Sequence, residues 1–370
     1  MKTRVLFWTD LFWPYVGGVE VLAAQYLRAL SKQGYEFTII TRCEGDDLQE
    51  LGEFEGMPVH RLNVRAALSS SNPRQLLGLR RAIANLVHEF QPDLLHIYHI
   101  GMGAMLFDGI RGIPRLMTLH GPIPPEFLVP NTALATLFDS VDYVACCSRN
   151  VLEAVEENLP SLRGRSSVIL NALEVPDLPP TPLSFEPPRL LTLGRLVQEK
   201  GFDTAIDAFA LLKPRFPALR MTIAGNGPAF DDLKSQVDVR GLGDCISLPG
   251  WVAPEAVAAL INEHTLTVMP SRVRESFGLV ALQSAQMARP VVASDIGGIP
   301  EVVEDSVTGL LVPQNDVQAF ADAIELLLNE PEKTRGMGRK ARERALAHFT
   351  WDNHIAAYDE LMRRLTSSGA

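Results

Sequence analysis

The sequence predicts an α/β protein of two doubly wound domains, and three observations predict it. At 370 residues the chain is about twice the length of a typical single domain. In both halves short apolar runs alternate with segments of helical period, the pattern of parallel strands joined by crossover helices. Between the halves, Glu174–Pro188 carries six prolines in fifteen residues. Proline fixes φ and cannot donate to a sheet ladder, so this stretch predicts a stiff connector over 175–188. The expected division is therefore an N-terminal domain over 1–174, the connector, and a C-terminal domain over 189–350.

The elements follow in order. Arg4–Trp8 reads as the first strand: a basic start resembles a signal peptide, but the apolar run stops before Asp10 and Pro14 and no h-region follows. Val19–Lys32 is helical in period, and Phe37–Thr41, Leu94–Tyr98, Arg115–Leu119 and Tyr143–Cys147 are strands. Beyond the connector come strands Leu190–Leu193, Arg220–Ala224, Ile246–Leu248, Thr265–Met269, Val291–Ala293 and Leu310–Val312, with helices over Gly201–Lys213 and Ala229–Val237. The run Arg335–Arg344 reads as a solvated helix face. Apolar Ile355, Tyr358, Leu361, Met362 and Leu365 at helical spacing place a terminal helix over Trp351–Leu365.

Composition narrows the class. Hydrophobic residues make up 46% and charged residues 21%, and the mean hydropathy is +0.07, as in ordinary globular chains. The net charge of −10 divides evenly, with 15 Lys+Arg against 20 Asp+Glu in residues 1–178 and 19 against 24 beyond. Neither half has the basic field of a nucleic-acid binder. The longest stretch free of Asp, Glu, Lys and Arg is Leu94–Phe107, 14 residues, short of the roughly 18 that a spanning helix needs. Four cysteines, Cys43, Cys146, Cys147 and Cys245, show no CxxC spacing, so neither a zinc site nor a disulfide framework is expected and a reducing cytoplasm fits best.

Four segments carry the candidate chemistry. Pro14-Tyr15-Val16-Gly17-Gly18-Val19-Glu20 opens a helix after the first strand, where two glycines let backbone N–H groups approach an anion, although a plain tight turn would use the same residues. Gly194-Arg195, with Lys200-Gly201 shortly after, sets two cations beyond a strand end, where a diphosphate would cancel their repulsion; surface ion pairing is the alternative. Ala224-Gly225-Asn226-Gly227-Pro228 is a third strand-end turn. In the fourth, from Val268 to Gln283, a loop carries Glu275 and a helix is expected to begin near Phe277, freeing the amides of Phe277, Gly278 and Leu279 for phosphate oxygens. At about 1.5 Å per residue, Glu275 and Gln283 would then stand roughly 12 Å apart on one face.

Pro-x-x-Gly-Gly-x-Glu, Gly-Arg-x4-Lys-Gly, Ala-Gly-x-Gly-Pro and Glu-x-Phe-Gly-Leu occur in this order, with Gly297-Gly298-Ile299-Pro300-Glu301 downstream. In these the chain resembles the retaining nucleotide-sugar glycosyltransferases of family 4. The resemblance implies the GT-B fold, two Rossmann-like doubly wound domains with the active site in the cleft between them, and a last helix over 351–370 crossing back to the first domain. It implies Gly17 and Gly18 beside the donor phosphates and sugar, Arg195 and Lys200 on the diphosphate, Glu275 on the transferred sugar, and His120 of Met117-Thr118-Leu119-His120-Gly121 beside the reacting carbon. Gly194, Asn226, Val252, Phe277, Gly278, Leu279 and Gln283 complete the implied donor site. The reaction implied is retaining, metal-independent hexosyl transfer from a nucleotide sugar, UDP before GDP. The acceptor would be a glycan, glycolipid or small molecule on the way to a cell-surface polysaccharide. The place would be the cytoplasm, at the inner face of the membrane where the acceptor is a glycolipid.

Two positions depart from the pattern. The family's second glutamate is Gln283 here, and Asn171-Ala172 replaces Asn-Gly. An amide accepts with one atom and donates with the other where a carboxylate accepts with both, so a loss of roughly 1 kcal/mol in donor binding is expected. The chain contains no Asp-x-Asp, the usual carboxylate pair for a metal on the diphosphate, so no metal or cofactor is expected and Arg195, Lys200 and helix amides would neutralise the leaving group. His96 and His99 read as core residues at a strand end. A partner subunit that binds nucleotide sugar without turnover is the competing class, and a nucleotide-sugar epimerase a more distant one. Acceptor contacts are expected from the loops Arg61–Arg74 and Pro122–Asn131.

Overall fold

The computed structural model describes residues 2–15, 17–43, 49–70, 72–129, 132–273 and 275–367. Val16 and Arg274 of the motifs, and Ser71, Pro130 and Asn131 of the expected acceptor loops, lie outside the described residues. The chain forms two compact units, Met1–Leu170 with Asp352–Ala370, and Asn171–Trp351.

The first unit is built on a sheet of β1 (Thr3–Thr9), β2 (Tyr35–Arg42), β3 (Leu51–Phe54), β4 (Met57–Leu62), β5 (Leu94–Ile97), β6 (Arg115–Leu119), β7 (Tyr143–Cys146) and β8 (Ser166–Val168). Their order is β3-β4-β2-β1-β5-β6-β7-β8, parallel except for the antiparallel β3/β4 pair. In β1 the run Val5–Trp8 is wholly buried, because helices cover both faces of a parallel sheet and leave no solvent side to alternate with. Order reverses at β1/β5, since β1 pairs with β2 on one side and β5 on the other. A doubly wound sheet opens its crevice at the carboxyl ends of such a pair.

The helix Trp351–Ser367 completes this unit. Its stripe of His354, Ile355, Tyr358, Leu361 and Met362 is buried, at the i, i+4, i+7 spacing of one helical face. Tyr26 donates to Met362 Sδ at 3.4 Å, Thr118 Oγ1 lies 3.1 Å from the Tyr358 hydroxyl, and Tyr35 donates to Asp359 Oδ1 at 2.7 Å.

In the second unit β9 (Arg189–Leu193), β10 (Arg220–Ala224), β11 (Ile246–Gly250), β12 (Leu266–Met269), β13 (Val291–Ser294) and β14 (Gly309–Val312) form a parallel sheet. Its order is β11-β10-β9-β12-β13-β14, reversing at β9/β12. Phe202, Ile206, Phe209 and Leu212 of one helix and Phe320, Ile324 and Leu327 of another fill one core against it.

The proline-rich stretch lies within this unit. Arg289, buried in the interior, donates to the carbonyls of His264, Met287 and Asn262 and to both Thr181 oxygens, at 2.6–2.8 Å. Every bond goes to an uncharged acceptor, and burial draws its pKa down to about 10. The Thr181 N–H also donates to Asn262 Oδ1 at 3.1 Å. The Arg335–Arg344 run is less solvated than its sequence suggests, since Arg344 Nη2 donates to the Glu301 carbonyl at 2.9 Å. Among the described residues no helix is long and apolar enough to cross a membrane.

Candidate active site

At the reversal point of the second unit, the loops after β9 and β12 lock together through glycine. Gly201 has φ +65°, and a Cβ there would stand 2.0 Å from the Pro270 carbonyl oxygen; the Arg272 N–H donates to the Glu199 carbonyl at 2.8 Å. This contact brings Lys200 Nζ to 2.6 Å from Glu275 Oε2, with side chains 30% and 19% exposed. The Ser271 hydroxyl donates to the same oxygen at 3.3 Å. Glu275 is fixed from its other side, because a Cβ on Gly297 would lie 2.2 Å from the Glu275 carbonyl oxygen and the Gly298 N–H donates to that oxygen at 2.7 Å. Arg195 is exposed on the same β9 loop.

Gly194 is tied by its N–H to the Ala224 carbonyl at 3.0 Å, and the Leu196 N–H donates to the Asn226 carbonyl at 2.9 Å. The Asn226 side chain is turned onto its own turn, accepting from the Gly227 N–H at 2.8 Å. Val252 packs on the small cluster of Leu191, Ala224, Val257, Ile261 and Met287.

The helix expected near Phe277 begins at Leu279, after Gly278 in the left-handed region at φ +100°. Phe277 is buried, its ring 5.6 Å from that of Phe349. The first-turn amides are those of Leu279, Val280 and Ala281, which have no carbonyl a turn earlier to bond. Only the later part of the Glu275–Gln283 interval is helical, so helix rise does not set their separation. Gln283 is partly buried on Leu279–Gln286.

In the first unit, Gly17 caps the helix Gly18–Lys32 in an extended conformation. A Cβ on Gly17 would stand 2.5 Å from Glu20 Oε2. The space over this helix N-terminus, read from the sequence as an anion position, holds the helix's own carboxylate. His96 is a core residue, its two ring nitrogens 3.0 Å from the Tyr26 hydroxyl and 2.9 Å from Thr118 Oγ1. His99 differs: its Nδ1 is shielded from solvent and unpartnered.

His120 follows β6, with both ring nitrogens shielded and unpartnered. Its ring centroid is 4.5 Å from that of Tyr98 and 6.5 Å from that of His99. Burial, then the neighbouring His99, His354 and His96, hold its pKa well below the usual histidine value, so near pH 7 it is neutral, with one N–H to donate and one lone pair to accept. Sequence reading missed Asp10, Ser271 and Arg272. Asp10 stands directly after β1, the best signal available for it; Ser271 and Arg272 differ in no way from ordinary loop residues.

Residues 16–175 match the family described as Glycosyltransferase Family 4, and residues 179–344 match the one described as Glycosyl transferases group 1. The chain is 37% identical over 174 residues to alpha-D-kanosaminyltransferase of Streptomyces kanamyceticus, an alignment covering 47% of this chain and 44% of that enzyme. It is 26% identical to an uncharacterized glycosyltransferase of Methanocaldococcus jannaschii, over 95% of this chain and 97% of the relative. Sucrose-phosphate synthase of Thermosynechococcus elongatus shares the fold with a TM-score of 0.84 at 22% identity, over 99% of this chain and 100% of that one. With a family 4 region and a group 1 region together spanning nearly all of it, and with two Rossmann-like units of the GT-B type, this chain belongs to the family 4 glycosyltransferases.

Proposed function

We propose that the protein transfers a hexosyl group from UDP-hexose to a hydroxyl acceptor, with retention and without a metal. The observation that carries this reading is the Lys200–Glu275 pair, held by close-approach glycines at the reversal point of the second sheet beside the exposed Arg195. A diphosphate needs cations and backbone donors within reach, and a hexose needs a fixed carboxylate. Arg195, Lys200 and the amides from Gly278 onward serve the first; Glu275 serves the second, Asn226 and Val252 serve the nucleoside, and Gln283 its ribose. Kanosaminyltransferase, by its name, is also a glycosyltransferase.

The reaction follows the front face. The acceptor oxygen bonds to the anomeric carbon as the bond from that carbon to the phosphate oxygen breaks, and the acceptor's proton passes to the departing diphosphate. His120, neutral, positions the reacting groups through a hydrogen bond and does not attack. Four cysteines without CxxC spacing suit a reducing cytoplasm, and a glycolipid acceptor would be met at the inner face of the membrane.

The test is release of nucleoside diphosphate from UDP-, GDP- and ADP-hexoses, with the product anomer read by NMR coupling. Release from the UDP donor with an α-linked product from an α-linked donor is expected. Binding of UDP without release would identify a non-catalytic binding subunit, and a β-linked product or a sugar adduct on His120 or Glu275 would exclude the front-face course.

A further inference from the structure

At the reversal point of the first sheet, polar atoms converge that have no partner among the described residues. Asp10 follows β1 directly and is rigidly placed. Its carbonyl accepts from the Arg42 N–H at 3.1 Å and from Thr41 Oγ1 at 3.2 Å, and Arg42 Nη2 lies 3.1 Å from its Oδ2. Its other oxygen, Oδ1, is shielded and unpartnered. It presses against Gly101, where a Cβ would stand 1.7 Å away, so only glycine leaves it room. His99, two residues earlier on the β5 side, has an unpartnered Nδ1, and His120 after β6 has two such nitrogens.

A shielded polar atom without a partner costs about 1–3 kcal/mol, and the same unit gives both ring nitrogens of His96 a partner. A group of such atoms at three neighbouring strand ends is therefore built for something that arrives. Its chemistry is selective. Asp10 Oδ1 can only accept. His99 is kept neutral chiefly by burial, with Glu20, Asp10 and Arg42 as its charged neighbours, and so it offers one donor or acceptor at Nδ1. Two carboxylates against one guanidinium leave a negative local field, which opposes an anionic ligand.

We propose that Asp10 and His99 bind the hydroxyls of the acceptor, and that the acceptor presents an uncharged vicinal diol, as a pyranose or cyclitol does, not a phosphate or carboxylate. This rests on the transferase reading above. It moves acceptor recognition from the loops 61–74 and 122–131 to the strand ends. Both residues are positioning residues: they orient the attacking hydroxyl and take no part in bond making.

The experiment measures UDP release from UDP-hexose with myo-inositol, methyl glucopyranoside, or the phosphate monoester of each as added acceptor. A neutral polyol should raise release severalfold and its ester should not. Asp10→Asn, matched in size, should raise the KM for that polyol about tenfold or more, with kcat at saturating polyol within about threefold. His99→Gln should do the same more weakly, and it decides the matter if Asp10→Asn fails to fold. Equal stimulation by the esters, no stimulation by either polyol, or an unchanged KM in both variants would overturn the proposal. If UDP-hexose is never cleaved, it is the transferase reading that fails. Polyol-induced shifts of the His99 ring resonances in histidine-labelled protein then read the diol site by itself, and their absence would overturn it too.

Discussion

Lys200 and Glu275, 75 residues apart in the chain, meet at 2.6 Å. The family resemblance implies a different part of the donor for each, the diphosphate for the ammonium and the sugar for the carboxylate. Paired, each holds the other in place, so the site is charged and ordered without requiring either side chain to be found in a random rotamer when the donor arrives.

Removing either cation should slow the chemistry while separating the two in stability. Arg195→Ala and Lys200→Ala are each expected to lower kcat by about two orders of magnitude, the loss of one preorganised donor. Lys200→Ala also leaves the partly buried Glu275 without its counter-ion, costing on the order of 1 kcal/mol, whereas exposed Arg195 should cost within about 0.5 kcal/mol. UDP-hexose turnover and urea denaturation of both variants check this; activity within about threefold of the parent would reject the diphosphate role.

Gln283→Glu should tighten UDP binding by on the order of 1 kcal/mol, since a carboxylate can accept from both ribose hydroxyls. Calorimetry that finds equal or weaker affinity would place Gln283 outside the ribose contact.

Acid should destabilise the first unit through His96 and His354. Burial lowers their pKa values to about 3 and about 4 in the folded protein, against about 6.5 unfolded. The unfolded chain therefore takes up protons first as pH falls. The stabilisation is fully present above about pH 6.5 and is lost below it toward the folded values, with a slope approaching about 2.7 kcal/mol per pH unit for the two groups. His354→Gln, whose amide can still donate to the Leu170 carbonyl that His354 Nδ1 meets at 2.7 Å, should shrink the difference between urea midpoints at pH 7 and pH 5. An unchanged difference would refute the assignment.

Turnover is expected to survive EDTA, because Arg195 and Lys200 supply the charge that a metal would otherwise bring to the leaving group. Complete loss with EDTA and recovery with Mn²⁺ would show instead that a cation shares the diphosphate.

Much of this was legible from residue order. Parallel strands buried on both faces read as near-continuous apolar runs, which is why Arg115–Leu119 has the bounds its sequence predicts. The β3/β4 hairpin escaped notice: Leu51–Phe54 and Met57–Leu62 mix Gly, Glu and Pro with their apolar residues, and the turn at Glu55 and Gly56, with φ of 50° and 81°, uses glutamate where asparagine or aspartate is the usual signal. The helix after Glu275 starts late because Gly278 adopts a left-handed conformation that sequence alone does not announce. The Lys200–Glu275 contact and the unpartnered atoms of Asp10, His99 and His120 depend on which strand ends become neighbours, a property of topology and not of any local pattern.

The helix that completes the first unit is made only after the second unit. Tyr26 and Met362 are 336 residues apart in the chain and Thr118 and Tyr358 are 240 apart, with all of Asn171–Trp351 between the halves of the unit. On a ribosome moving at about 5–20 residues per second, that interval lasts roughly ten to forty seconds. Throughout it Tyr26, His96 and Thr118 wait without their cover, while the second unit emerges whole. The usual N-to-C order of domain maturation is thus inverted: the later unit can fold first, and a nascent chain released before Tyr358 would carry a finished second unit beside an unfinished first one.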